Sequence, residues 1–247
     1  MRIQFFALPV VIALLAACVG GSKHTYQFSE PALQPSPAGA QSLTPYLFVD
    51  ARGAVHMSWV EKDDSLHRLK TATLNEGTWT AAVEIAADTN WFVNWADYPM
   101  MITDGGQRAL AHMLRRSGEG YAYDVQLFST NGQSAWSTRG LLNNDATKSE
   151  HGFVSMVPWN GNILVTWLDG RNSAADTASH ADNHGHHGAM SIRAAVIDYD
   201  GRTQQEWELD ARTCDCCQTT IALLAGTPTV LYRDRSDSEV RDVFSHN

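Results

Sequence analysis

Apolar residues in this chain come in short bursts, and each burst is cut by a glycine-bearing turn and followed by another burst. The pattern recurs four times. Residues 46–49 lead through Asp50-Ala51-Arg52-Gly53 into 55–60, and residues 100–102 lead through Asp104-Gly105-Gly106 into 109–114. Residues 153–157 lead through Asn160-Gly161-Asn162 into 163–168, and residues 220–224 lead through Ala225-Gly226 into 229–232. The turn glycines Gly53, Gly106, Gly161 and Gly226 are spaced 53, 55 and 65 residues apart. Short β-rich runs joined by Asn-Gly or Asp-Gly turns are hairpins, because those residues tolerate the left-handed backbone that a tight hairpin turn requires.

A second hairpin follows in three of the units. Residues 69–74 precede Asn75-Glu76-Gly77 and Trp79, residues 121–128 precede Asn131-Gly132 and Trp136, and residues 192–197 precede Asp200-Gly201 and Trp207. Each unit therefore holds four short strands, with a turn and a tryptophan at the junction of the third and fourth. Four antiparallel strands in a repeat of about 50 residues are expected of a β-propeller blade. In the fourth unit residues 239–244 read as the third strand. About three and a half blades are present over residues 45–247.

The turn-plus-Trp elements resemble degenerate Asp boxes, the Ser-x-Asp-x-Gly-x-x-Trp turns of the sialidase-like (BNR) β-propellers, as in Thr73-x-Asn75-x-Gly77-x-Trp79. The resemblance implies an all-β propeller of six blades, so this chain reads as a C-terminally shortened relative or as one whose ring a second copy completes. It also implies a ligand site near the propeller axis, with a glycan or acidic sugar as the ligand. The tryptophans read as wedges between blades. A sialidase of this family uses an Arg triad, a Tyr nucleophile paired with a Glu, and an Asp acid/base. The chain has no Phe/Tyr-Arg-Ile-Pro motif near the start of the propeller, and no tyrosine in it matches the family nucleophile.

Before the repeats, Arg2 and the apolar run 5–17 end in Leu15-Ala16-Ala17-Cys18. Thirteen apolar residues are too few to span a bilayer, which takes about 20, but they suit the core of an export signal. The ending resembles the lipobox of bacterial lipoproteins. That resemblance implies that residues 1–17 are removed and that Cys18 carries the lipid. The protein would then be held in the cell envelope, at the outer membrane in a Gram-negative host. Residues 18–44, rich in Gly, Pro, Ser and Gln, read as a tether.

Composition narrows the partners. The chain is 44% hydrophobic and 18% charged, enough apolar material for a core, which excludes disorder over its full length. A formal net charge of −9 without a Lys/Arg cluster is wrong for binding phosphate backbones, so nucleic acid is excluded as a partner.

In a propeller, the links entering the innermost strands and the loops between second and third strands share one face. The links carry Asp97, Glu150 and Asp215, which are the candidate acids, and the loops carry Arg115, Arg116, Arg171, Arg233 and Arg235. Arginine's planar fork suits a carboxylate ligand. Asp97, Glu150, Asp215 and Arg171 are the catalytic candidates if the chain is an enzyme, and Arg115, Arg116, Arg233 and Arg235 are the ligand-binding ones. The same residues also read as solvated loop charges.

A second constellation suits a metal. The long third-blade loop carries His180, His184, His186 and His187, and the next blade opens with Cys214, Cys216 and Cys217. Imidazole and thiolate together suit Zn or Cu. In an oxidising envelope the cysteines equally read as a disulfide plus one free thiol. Three function classes follow: a lipid-anchored propeller binding a glycan, with glycosidase activity open; a Zn- or Cu-binding envelope protein; and a scaffold propeller for another protein.

Overall fold

In the computed structural model the described residues are 29–133, 135–173 and 189–247. Two units separate, Met1–Gln34 and Pro35–Asn247, and the second holds every strand described below. It is all-β, and its antiparallel sheets are arranged as the four blades of a propeller. Blade I comprises β1 (Ser42–Val49), β2 (Val55–Asp63) and β3 (Leu66–Asn75). Its outer strand is split into β4 (Thr78–Trp79) and β5 (Val83–Asp88), both paired to β3. Blade II comprises β6 (Met101–Thr103), β7 (Ala109–Arg116), β8 (Tyr123–Thr130) and β9 (Ser137–Leu141). Blade III comprises β10 (His151–Trp159), β11 (Asn162–Asp169), β12 (Met190–Ile197) and β13 (Thr203–Thr213). Blade IV has three strands, β14 (Thr220–Leu224), β15 (Thr227–Arg233) and β16 (Val243–His246). Contacts between blades centre on the first strands: β6 meets β1 and β2, β10 meets β6 and β8, and β14 meets β10 and β11.

The hairpin turns form for the reason read from their residues. Asn160 and Gly161 (φ 49° and 78°), and Ala225 and Gly226 (φ 50° and 84°), both lie in the left-handed region, the geometry of a two-residue hairpin turn that matches strand twist. At the first turn Asp50 does part of the work. Its Oδ1 accepts from the Arg52 and Ala54 amides at 2.8 and 3.0 Å.

The inner strands of blades II and III are buried on both faces, so β7, β10 and β11 run largely apolar instead of alternating. The residue six positions beyond each turn glycine, Trp59, His112, Trp167 and Tyr232, is buried in every blade. In blades I and III this position is a fully buried tryptophan whose indole N–H donates to the acid two residues on, Trp59 to Glu61 at 2.9 Å and Trp167 to Asp169 at 2.8 Å. Of the turn tryptophans, Trp136 packs against a core cluster with Phe128 and Trp91, whereas Trp207 is exposed and lines a surface cleft together with Trp159, Pro228 and Val230. The outer blades are less covered. Leu47 and Val49 on β1, and Val243 and Phe244 on β16, are exposed.

Candidate functional site

The links into the first strands and the loops between second and third strands meet on one face, as the repeat requires. They enclose a cleft of about 740 Å³ lined by Phe92, Trp95, Arg116, Tyr123, Glu150 and Asp215, among others. Its aromatic wall is ordered by stacking: Phe92 lies parallel to Tyr123 (4.4 Å between centroids, 13°) and edge-on to Tyr121 at 6.0 Å. The Arg116 guanidinium sits 4.8 Å over Phe92. Trp95 is 94% exposed at the same cleft, an indole face presented to solvent.

The acids from three links are electrostatically linked. Asp97, in the link to β6, is buried; its Oδ2 accepts the Phe153 amide at 2.9 Å, while Oδ1 has no partner. Burial, with the like charge of Glu150, outweighs that hydrogen bond and pushes the Asp97 carboxyl up to about 7. Its place depends on Gly152, where a Cβ would lie 2.4 Å from Asp97 Oδ2 and 3.1 Å from Tyr123 Cε2. Glu150 immediately precedes β10 and is half-buried. Burial raises its pKa, the Tyr123 hydroxyl lowers it, and Asp215 raises it again; the net direction is upward. The Tyr123 hydroxyl donates to Glu150 Oε1 at 2.6 Å, and burial together with that carboxylate holds the phenol well above its ordinary value.

Behind Tyr123 lies a charged strut. His151 is fully buried; Nδ1 is 3.1 Å from the Tyr123 carbonyl, and Nε2 is 3.2 Å from Asp145 and 3.7 Å from Asp169. Arg171 grips Asp169 through Nε and Nη2, both at 2.8 Å, and reaches Glu206 at 3.4 Å. Burial opposes ionisation of Asp169, but Arg171 and His151 prevail and hold its carboxyl below the usual range. The strut thus fixes the backbone at Tyr123 and the start of β10.

Of the arginines expected on this face, Arg116 lines the cleft and Arg115 is exposed at the end of β7. Arg171 serves Asp169, Arg235 pairs with Glu239 at 2.9 Å, and Arg233 lies 3.6 Å from Cys217 Sγ. The three cysteines converge, with Cys214 Sγ 3.6 Å from Cys216 Sγ and 3.4 Å from Cys217 Sγ. Cys216 also lines the cleft. Cys18 and the histidines His180, His184, His186 and His187 lie outside the described residues.

Two participants escaped the sequence reading, Tyr123 and the Asp145–His151–Asp169 group. The first follows a run of loop residues that gives no hint of its partner, and the second joins residues from a link and two strands. A retrievable signal did exist for Asp169, the Trp-x-acid pattern repeated six residues after a turn glycine in blades I and III.

No family model matches the chain, and no curated protein matches it in sequence. Solved structures do match its fold. A protein of unknown function from Dyadobacter fermentans aligns over 81% of this chain and 51% of its own, at 10% identity and a TM-score of 0.53. A GH43 β-xylosidase/α-arabinofuranosidase from a compost microbial metagenome, solved with xylotriose, aligns over 87% of this chain and 77% of its own, at 9% identity and a TM-score of 0.51. Trypanosoma rangeli sialidase aligns over 80% and 30%, at 8% identity and a TM-score of 0.47. The chain spans about half the length of the first of these. Fold and neighbours define the class as an all-β propeller, a fold shared at low sequence identity with the Dyadobacter and compost-metagenome structures.

Proposed function

We propose that the cleft binds a glycan and that Glu150, Tyr123 and Asp215, which line it, equip it for glycoside cleavage. The observation that carries this reading is the Glu150 carboxyl on the cleft wall. It accepts the Tyr123 hydroxyl at 2.6 Å and its pKa is raised by burial and by Asp215, while Asp97 lies buried away from the cleft wall. Glu150 is then the general acid that protonates the leaving oxygen. Tyr123 orients Glu150 through its hydroxyl, and Asp215, exposed at the mouth, is the carboxylate that activates the attacking water. Trp95 and the Phe92–Tyr121 wall offer apolar faces for sugar rings, and Arg116 offers a guanidinium for an acidic substituent.

Turnover of a panel of chromogenic sialosides, xylosides and arabinofuranosides tests this, together with a glycan array. The expected result is binding and turnover of at least one member, with Glu150→Gln and Asp215→Asn each lowering turnover by about 10²–10⁴. A folded protein that neither binds nor cleaves any glycan refutes it.

The lipobox-like ending at Cys18 supports the reading that a lipid anchor holds the protein in the cell envelope. Two acyl signals are what stable anchoring requires.

A further inference from the structure

The link from β13 to β14 turns tightly at Cys214-Asp215-Cys216-Cys217, and the turn brings three sulfurs to one point, all within 4.8 Å of one another. The base of the turn is anchored. The Cys214 amide donates to the Arg233 carbonyl at 2.9 Å, and the Thr219 hydroxyl donates to the Phe153 carbonyl at 2.7 Å. Cys214 is buried and Cys216 is exposed, so the group has both a fixed floor and a path to solvent.

The separations distinguish what the trio can hold. A disulfide needs sulfurs about 2.05 Å apart, so the pairs at 3.4 and 3.6 Å would have to close by well over 1 Å. Metal–thiolate bonds of about 2.3 Å place their sulfurs about 3.7–4.0 Å apart, which these sulfurs reach by opening a few tenths of an ångström. Arg233 Nη1 lies 3.6 Å from Cys217 Sγ and Arg241 Nη1 lies 3.7 Å from Cys214 Sγ, so two guanidiniums from blade IV flank the sulfurs.

We propose that Cys214, Cys216 and Cys217 form a three-thiolate site for a soft cation, Cu(I) in preference to Zn(II). Thiolates select Cu(I) and Zn among available metals. Three sulfurs complete the coordination of Cu(I), whereas Zn(II) takes four ligands, and among the described residues no fourth His, Cys, Asp or Glu joins the trio. Binding displaces thiol protons and changes no oxidation state. The site stands independently of whether the neighbouring cleft cleaves glycans.

The test uses the full chain carrying Cys18→Ser, so that the trio holds all the remaining thiols. The reduced protein is loaded with Cu(I) under anaerobic conditions and desalted, then assayed for metal per chain and for reactive thiols. The expected result is one retained Cu(I), three shielded thiols, and displacement of preloaded Zn(II) by Cu(I). Cys216→Ser, at the exposed sulfur, is expected to keep the melting temperature of the metal-free protein and to weaken retention by more than about tenfold, since loss of an outer-shell partner alone costs that much. The proposal is overturned by a folded, reduced protein that retains no metal. It is equally overturned by Cu(I) retention unchanged in Cys216→Ser, or by Zn(II) that Cu(I) does not displace.

Discussion

Replacing Asp97 by Asn probes the buried acid coupled to the cleft residue Glu150, without involving any substrate. The amide keeps the size of the carboxyl and an oxygen for the Phe153 amide, but it cannot ionise. In the folded protein the Asp97 pKa is carried from 3.8 to about 7. The folded state therefore binds this proton more tightly than the unfolded chain. The stabilisation is fully present below about pH 3.8 and is lost as pH rises through about 7. At roughly 1.4 kcal/mol per pH unit, this is about 4 kcal/mol between the two limits. The groups that face Asp97 are Glu150 and Tyr98, with the Tyr123 ring close by across Gly152, and Glu150 supplies the like charge. Urea unfolding of both proteins from pH 4 to pH 8 measures the effect as a difference, so that the other carboxylates cancel. The stability of Asp97→Asn relative to the parent is expected to rise by about 3–4 kcal/mol across that range, most steeply between pH 5 and pH 7. Parallel curves would mean that Asp97 is as easily ionised as an exposed aspartate, and the electrostatic coupling of Asp97 to Glu150 would fall with them.

Gly152→Ala should be disruptive although its backbone is unstrained, because the new methyl would lie 2.4 Å from Asp97 Oδ2; a loss of about 1–3 kcal/mol in denaturant unfolding is expected, and an unchanged midpoint would show that Asp97 moves freely. Arg171→Ala takes the two-pronged guanidinium from the fully buried Asp169 carboxylate and leaves His151 Nε2, 3.7 Å away, as its neighbour, and a cost of about 3 kcal/mol follows, read from thermal or urea unfolding. Lysine at 171 should restore only part of it, since an ammonium cannot reproduce the two-pronged grip. Cys18→Ala in the expressing bacterium is expected to abolish incorporation of labelled fatty acid and to release the protein from the membrane fraction; unaltered labelling would place the lipid elsewhere or nowhere.

The blades were legible in the sequence because their determinants are local. A turn that needs left-handed backbone selects Gly or Asn, as at Asn160-Gly161, and a strand paired within its own hairpin needs only the apolar run beside that turn. Such signals survive the decay of any family motif, which is why the turns at Gly77, Gly132 and Gly201 could be placed when none matched an Asp box in full. The face carrying Asp97, Glu150 and Asp215 was legible for the same reason, since topology alone sends those links to one end of the blades.

Tertiary structure decided which of the exposed-looking groups matter. Nothing local marks Tyr123 as the partner of Glu150, which stands 27 residues away in the chain. The five arginines of the predicted rim look equivalent in sequence, yet Arg171 is consumed by Asp169 while Arg116 stays at the cleft. The protonation of Asp97 belongs to this class as well, because it comes from desolvation and a like charge supplied by other blades. Strand and turn preferences are properties of neighbouring residues, but burial and electrostatic coupling exist only once distant segments have packed together.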